Sequence, residues 1–137
     1  LTDALENMKQ QGVVFRPGTV DHWMDCGNKN ATVETNRMIL EFEKDQNLVS
    51  SSAVIENSTL IQPVQIADGV RIENSVVGPH VSVGKNSVIK NTRVSNSIVR
   101  SDSSINNAVI ENSLIGMQTA IDLSALDLSM GDFSTMN

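Results

Sequence analysis

Aliphatic residues recur every five or six positions through the second half of the chain. Every third member of this series is an isoleucine, and these isoleucines stand 16 or 17 residues apart: Ile55, Ile72, Ile89, Ile105 and Ile121. The members between them form two further columns, which are Ile61, Val77, Val94 and Ile110 in one and Ile66, Val83, Val99 and Ile115 in the other. Three columns with one period predict a mainly β fold, a parallel three-sided β-helix whose coils stack short strands.

A polar column accompanies the isoleucines. Asparagine stands two residues after each of the first four, at Asn57, Asn74, Asn91 and Asn107, and a small residue follows each of them. Stacked asparagines can pass amide hydrogen bonds from one coil to the next, and small residues allow a tight corner. The isoleucines and asparagines together are therefore the predicted structural ladder.

Residues 1–46 follow a different pattern. Helical spacing predicts a first helix with Thr2 as a possible cap and Gly12 as its end. Two strands joined by a turn at Pro17 and Gly18 are expected next, followed by a second helix over residues 31–46 that Asn30 caps. A segment of this size cannot bury a core of its own. We expect it to be a piece of a larger domain.

Composition excludes several classes of partner. The net charge is −6 and the basic residues are scattered, so nucleic acid is not expected to bind. A single cysteine, Cys26, excludes an internal disulfide and suits a reducing compartment, which favours the cytoplasm. The sequence contains no run of about 18 apolar residues, so no membrane association is expected.

Two stretches resemble known families. The segments "IADGVR", "VGPHVS", "VGKNSV" and "IGMQTA" resemble the hexapeptide repeat of left-handed β-helices. The stretch "VDHWMDCGNKNATVETNRMIL" contains Trp23, Asp25 and Gly27. It is similar to the last segment of the catalytic domain in sugar nucleotidyltransferases of the glucose-1-phosphate thymidylyltransferase and mannose-1-phosphate guanylyltransferase group. The closing "LDLSMGDFSTMN" is similar to the short strand that ends many long members.

The resemblance implies three regions. Residues 1–46 would be the end of a catalytic domain, residues 47–121 a left-handed β-helix, and residues 122–137 a capping strand or tail. The tail carries apolar residues that could cover the open end of the β-helix or pair with another subunit, namely Leu123, Leu126, Leu128, Met130 and Phe133.

The resemblance also implies a function. Such enzymes convert a nucleoside triphosphate and a sugar 1-phosphate into a nucleotide sugar and pyrophosphate, and Asp25 matches an aspartate that helps to hold Mg²⁺. The glycine-rich nucleotide loop and the second metal-binding aspartate of the family are not found here. We therefore expect the C-terminal portion of an enzyme that is inactive alone, with no catalytic residue and no cofactor of its own. Its β-helix is expected to serve oligomerisation or regulation in a homo-oligomer.

Several residues can also be assigned roles that do not depend on the resemblance. Asp25 alone could be a turn or capping carboxylate, Trp23 is expected to pack, and Cys26 is expected to be a buried or inert thiol. His80 is expected to face solvent, although in a hexapeptide acyltransferase it would be a general base at a trimer interface. Two histidines are too few for a zinc site of three.

A second hypothesis belongs to another class of protein. The same two-domain plan occurs in non-catalytic interaction subunits, as in the nucleotide-exchange complex of eukaryotic translation initiation. An intact glycine-rich loop upstream of Leu1 would distinguish the enzyme from such a subunit.

Overall fold

The described part of the chain forms two helices followed by thirteen short strands. The computed structural model describes residues 1–124, 128–130 and 132–136. Helix α1 spans Thr2–Gln10 and helix α2 spans Lys29–Phe42. The strands are β1 (Val54–Glu56), β2 (Thr59–Leu60), β3 (Val64–Ile66), β4 (Arg71–Glu73), β5 (Val76–Val77), β6 (Val81–Val83), β7 (Val88–Lys90), β8 (Arg93–Ser95), β9 (Ser97–Val99), β10 (Ser104–Asn106), β11 (Val109–Glu111), β12 (Leu114–Ile115) and β13 (Ala120–Asp122).

The strands form three parallel sheets that are the faces of a β-helix of roughly four coils. The first sheet has the order β1-β4-β7-β10-β13, the second β11-β8-β5-β2, and the third β12-β9-β6-β3. Each strand therefore pairs with the strand three elements away, one coil above or below. The predicted three-sided β-helix is confirmed.

The isoleucine column lies in register along the first sheet. Ile55 pairs with Ile72, Ile72 with Ile89, and the pairing continues through Ile105 to Ile121. The three central isoleucines are fully buried, and valines of the other two sheets complete the core: Val77, Val83, Val94 and Val99. The hydrophobic core cluster of the described chain consists of aliphatic side chains, which agrees with the scarcity of aromatic residues in the sequence.

One member of the second column was predicted wrongly. Leu60, and not Ile61, pairs with Val77 and stands in the column that continues to Val94 and Ile110. Strand β2 ends at Leu60, so Ile61 falls on the corner and is 42% exposed. Leu60 and Ile61 are both aliphatic, and a repeat that steps by five or six positions does not determine which of two neighbouring residues belongs to the column.

The asparagines of the predicted ladder stand at the corner between the first and second sheets. All four have positive φ, from 47° to 56°, a backbone conformation that asparagine tolerates better than most residues. The Nδ2 of Asn57 donates to Oδ1 of Asn74 over 2.7 Å, and that of Asn91 to Oδ1 of Asn107 over 3.1 Å. Asn107 then donates to Oδ1 of Asp122 over 2.8 Å, so a carboxylate ends the ladder.

The residue after three of the four asparagines carries a hydroxyl with a role beyond small size, whereas Ala108 follows the fourth. Ser75 is buried, its hydroxyl donates to the carbonyl of Glu73, and it accepts the N–H of Thr92 over 3.0 Å. Ser58 is linked to Ser75 in the same way, one coil earlier. These hydroxyls satisfy backbone groups that the corner removes from the sheets.

A second amide ladder at the corner between the third and first sheets was not predicted. Asn86 and Asp102 both have positive φ, and Nδ2 of Asn86 donates to Oδ1 of Asp102 over 3.1 Å. Gly69 and Gln118 have positive φ at the preceding and following corners. Because four residue types share this column, no repeated letter reveals it in the sequence.

The segment before the β-helix differs from the prediction. Helix α1 has no side-chain cap, so Thr2 is not its cap; at the other end, Gly12 with φ of 85° closes a Schellman motif in which the N–H of Val13 bonds to the carbonyl of Met8. The two strands expected around Pro17 and Gly18 are not formed, and residues 13–20 have no secondary structure and no strand partner in the described chain. An extended segment becomes a strand only when a neighbouring strand accepts its hydrogen bonds.

Helix α2 lies against the outer face of the third sheet, beside β6 and β9. It begins at Lys29 and is capped by Asn28, whose side chain accepts the N–H of Ala31 over 3.0 Å, so Asn30 is not the cap. Val33 and Leu40 are its buried residues. Most of the stability of such a helix comes from packing this apolar face.

Polar contacts anchor α2 to the β-helix along its length. Near its middle, Asn36 accepts the hydroxyl of Ser82 over 2.6 Å. One turn later, the Glu41 carboxylate lies 2.6 Å from Nε2 of His80. Near its start, the ammonium of Lys29 donates to the carbonyl of Asn112 over 2.8 Å. Contacts at both ends and in the middle join α2 to the second and fourth coils.

Apart from Asp122, which ends β13, the described residues of the tail form no strand. Leu123, Leu128, Met130 and Phe133 are all exposed. Leu126 lies outside the described residues. The predicted capping strand is therefore not found at positions 128–130 and 132–136.

Gly84 and Gly116 differ in how closely the neighbouring chain packs against them. A Cβ atom on Gly84 would lie 2.5 Å from the backbone nitrogen of Ser101, whereas one on Gly116 would lie 3.5 Å from the hydroxyl of Thr119. We expect Gly84→Ala to lower the free energy of unfolding by about 1–3 kcal/mol and Gly116→Ala to change it by less than about 0.5 kcal/mol. Urea unfolding followed by circular dichroism measures both. Equal losses in the two variants would contradict the stacking described here.

The contact between Glu41 and His80 predicts a pH dependence. The pKa of Glu41 lies below its ordinary value of 4.5, first because of the hydrogen bond with His80, then through the charges of His80, Lys44 and Arg37, while partial desolvation opposes the shift. A carboxyl whose pKa is lowered by folding stabilises the fold above its unfolded pKa, and this contribution is lost as the pH falls through the folded pKa.

Glu41→Gln should therefore melt at a lower temperature than the unchanged chain at about pH 6, and the difference should shrink as the pH falls toward about 3. Thermal unfolding at several pH values measures this. Glu56→Gln, on the first sheet away from α2, is the control and should show no such convergence. A constant difference between Glu41→Gln and the unchanged chain at every pH would rule out the proposed contribution of the carboxylate.

Candidate functional site

Asp25 is exposed in the loop that leads into α2. Its Oδ1 accepts the backbone N–H of Gly27 over 3.0 Å, which is the turn role weighed for it from the sequence. A Cβ atom on Gly27 would lie 3.3 Å from both carboxylate oxygens. Glycine at this position therefore lets the chain turn closely beneath the carboxylate.

Two threonines of α2 hold this loop by its backbone. The hydroxyl of Thr35 donates to the carbonyl of Asp25 over 2.8 Å. The hydroxyl of Thr32 lies 3.3 Å from the carbonyl of Cys26 and 2.8 Å from that of Asn28. The loop thus follows the first turns of α2, and the position of the Asp25 carboxylate depends on that of the helix.

The donor set at Asp25 fits a partial Mg²⁺ site. A carboxylate is a hard oxygen ligand, and Mg²⁺ is commonly bound by one or two carboxylates together with phosphate oxygens and water. In the described part of the chain only Oδ1 of Asp25 is engaged, by Gly27. No group of three or more histidine, cysteine, aspartate or glutamate side chains that could hold a metal occurs among the described residues. Asp25 can supply one ligand, and the others would have to come from elsewhere.

The neighbours of Asp25 are exposed. Trp23 is 82% exposed and therefore does not pack against the described chain, and Cys26 is an exposed thiol and not a buried one. The imidazole of His22 lies against the ring of Phe42 with centroids 4.9 Å apart. That contact closes the loop against the outer side of α2 and leaves the indole uncovered by the described chain.

His80 does not face solvent, contrary to expectation. Its side chain is 18% exposed and its ring contacts Glu41. Its backbone carbonyl accepts the N–H of Ser97 and lies 3.4 Å from the Asn36 amide. Helix α2 covers this corner of the β-helix, so the imidazole is a packing and hydrogen-bonding group. It is not free in a cleft, as a general base of an acyltransferase would be.

Two shallow clefts lie at the ends of the β-helix, away from Asp25. One is formed at the last coil by residues that include Asn107, Val109 and Asp122, and the other at the first coil by residues that include Ser50, Asp68 and Lys85. In the first-coil cleft, Asp68 is already bonded to the Ser50 hydroxyl and paired with Lys85. Neither cleft brings together groups suited to catalysis.

Sequence reasoning found Asp25 but missed the residues that hold it. Thr32 and Thr35 look like ordinary helix positions, and their contacts depend on the path of the preceding loop. One signal was present: Asn36 is a polar residue on the face that Val33 and Leu40 bury. A polar side chain in a buried stripe indicates a specific partner, here Ser82.

Neither described helix is long and apolar enough to cross a bilayer.

No protein-family model matches the chain. Two curated proteins are similar to it. A glucose-1-phosphate thymidylyltransferase of Streptomyces griseus is 31% identical over 119 residues, which covers 76% of the chain and 34% of that protein. A glucose-1-phosphate thymidylyltransferase of Streptomyces antibioticus is 29% identical over 119 residues, which covers 76% of the chain and 33% of that protein.

The chain thus spans about one third of the length of the curated relatives that it matches. The similarity extends over most of the chain, and the structure supplies the three-sided β-helix that the repeat predicted. Together these findings confirm that the chain resembles the part of a sugar nucleotidyltransferase that carries a C-terminal β-helix.

Proposed function

We propose that this chain is the C-terminal portion of a sugar 1-phosphate nucleotidyltransferase. The observation that carries the proposal is its similarity over 119 residues to glucose-1-phosphate thymidylyltransferases. The whole protein would join a nucleoside triphosphate to a sugar 1-phosphate and release pyrophosphate. The 137 residues alone would be inactive, because the glycine-rich phosphate loop and the second metal-binding aspartate that such enzymes use are not found in them.

Asp25 is the residue that we assign to this chemistry. Its exposed carboxylate would be one of the ligands of Mg²⁺, which would neutralise the negative charge that builds up on the phosphates during transfer. Gly27 and Thr35 hold the carboxylate in place, through the turn beneath it and the bond to the Asp25 carbonyl. The chain's own contribution is thus the position of one charged oxygen group.

The exposed apolar residues before α2 support a place within a larger domain. Val14, Val20 and Trp23 lie in a segment without secondary structure and are exposed to solvent. Such a row of uncovered apolar side chains marks a surface that another part of a protein buries. The catalytic domain, to which residues 1–46 would contribute this segment, is the part that would cover them.

The β-helix, we infer, serves oligomerisation or regulation. The outermost strands of the sheets include β1 and β2 of the first coil and β11 and β13 of the last coil. Val109, which belongs to β11, is 81% exposed. Open strand edges and apolar side chains at the ends of a β-helix favour contact with another copy. A monomeric mass for the complete protein in sedimentation equilibrium would contradict a role in oligomerisation and leave regulation.

The role of Asp25 can be tested in the complete gene product. Pyrophosphate release should require Mg²⁺, a nucleoside triphosphate and a sugar 1-phosphate, and Asp25→Asn should lower kcat/KM by about 100-fold or more, because metal stabilisation of phosphoryl charge is worth several kcal/mol. The amide of the variant keeps an oxygen that can accept from Gly27 but removes the charge.

Asp21→Asn is the matched control, since Asp21 is another exposed carboxylate four positions earlier, and it should leave kcat/KM unchanged. Two results would refute the assignment. One is full activity in Asp25→Asn, and the other is the absence of transfer with every nucleotide and sugar 1-phosphate supplied.

A further inference from the structure

Two hydrogen bonds from adjacent residues of α2 connect the β-helix to the Asp25 loop. Ser82 on the third sheet donates to Asn36, and Thr35, the preceding residue of the helix, donates to the carbonyl of Asp25. The two side chains project from adjacent helix positions toward different neighbours. Helix α2 therefore touches the β-helix on one side and the loop on the other.

The bond from Thr35 differs from the other contacts of the loop. It spans ten residues and measures 2.8 Å, whereas the turn between Asp25 and Gly27 is made within the loop itself. A local turn shapes the loop, but it cannot determine where the loop lies relative to the rest of the molecule. The Thr35 hydroxyl does so for Asp25 itself, beside the Thr32 hydroxyl at the carbonyl of Cys26, because the helix gives both hydroxyls their positions.

The helix has little freedom to move over the β-helix. Val33 and Leu40 are buried beneath it, and the Glu41 contact with His80 lies one turn beyond Asn36. Lys29 bonds to the carbonyl of Asn112 at its other end. These contacts join α2 to two different coils, so a shift of either coil would move the helix and the loop that it holds.

We propose that Thr35 is a positioning residue for the Asp25 carboxylate and that α2 makes this position depend on the β-helix through Asn36 and Ser82. This proposal rests on the proposed function, because only that function makes the Asp25 carboxylate a metal ligand. Its structural content, that Thr35 and Ser82 hold the loop, does not depend on any activity.

The structural content is tested by amide hydrogen exchange in the chain itself. The probe is the N–H of Gly27, which is bonded to Asp25. Thr35→Val keeps the shape of the side chain and removes the hydroxyl, so the Gly27 amide should exchange about five-fold faster, as expected for the loss of one hydrogen bond. Thr35→Ser keeps the hydroxyl and should stay within about two-fold of the unchanged chain. Equal exchange in Thr35→Val and the unchanged chain would overturn the proposal.

A second pair of variants tests whether the position of the Asp25 loop depends on the β-helix. Ser82→Ala removes the contact with Asn36 and should also speed exchange at Gly27, by about two-fold or more. Ser104→Ala, on the outer side of the first sheet, is the matched control and should have no effect. If Ser82→Ala left Gly27 unchanged, the loop would be positioned by α2 alone and the second half of the proposal would fail.

A kinetic measurement then connects the loop to the metal. In the complete protein, the Mg²⁺ concentration that gives half-maximal rate should rise about five-fold in Thr35→Val and return toward the original value in Thr35→Ser. An unchanged Mg²⁺ dependence in Thr35→Val, with faster Gly27 exchange, would overturn the positioning role. A complete protein without nucleotidyl transfer would instead refute the proposed function, while the exchange results would still decide whether Thr35 and Ser82 hold the loop.

Discussion

Hydrogen bonding between coils at the corners is the constraint on which this structure depends. Each coil contributes strands of two or three residues, which are too short to be stable alone, and the chain must turn sharply after each of them. Asparagine accepts the positive φ of the turn and passes its amide hydrogen to the next coil, while the hydroxyl after it satisfies the buried backbone. Only with these corners in place can the isoleucines stand in register.

Helix α2 connects the β-helix to the loop that carries Asp25. Its buried side chains and the contacts of Asn36 and Glu41 attach it to the third sheet. Its threonines, in turn, hold the loop that presents Asp25. A carboxylate in an otherwise irregular segment thus owes its place to a scaffold whose strands lie later in the sequence. Under the proposed function, the repeat would contribute by positioning this carboxylate.

Sequence reasoning predicted what a fixed period determines. The columns of Ile72 and Val83 follow from spacing, because each coil repeats the one before it. Leu60 was missed because its neighbour is equally apolar, and the environment of His80 was missed because it depends on α2, about 40 positions away. Asp25 was found by resemblance. The threonines that hold it leave no local signal, since their partners are backbone carbonyls that any residue carries.

The most direct test of the account is a crystal structure of the complete protein with Mg²⁺ and a nucleotide sugar bound. We predict an oxygen of Asp25 within about 2.1 Å of the metal, the distance at which Mg²⁺ binds carboxylates, with the loop still bonded to the Thr35 hydroxyl. A metal held entirely by other residues, with the Asp25 carboxylate turned to solvent, would contradict it.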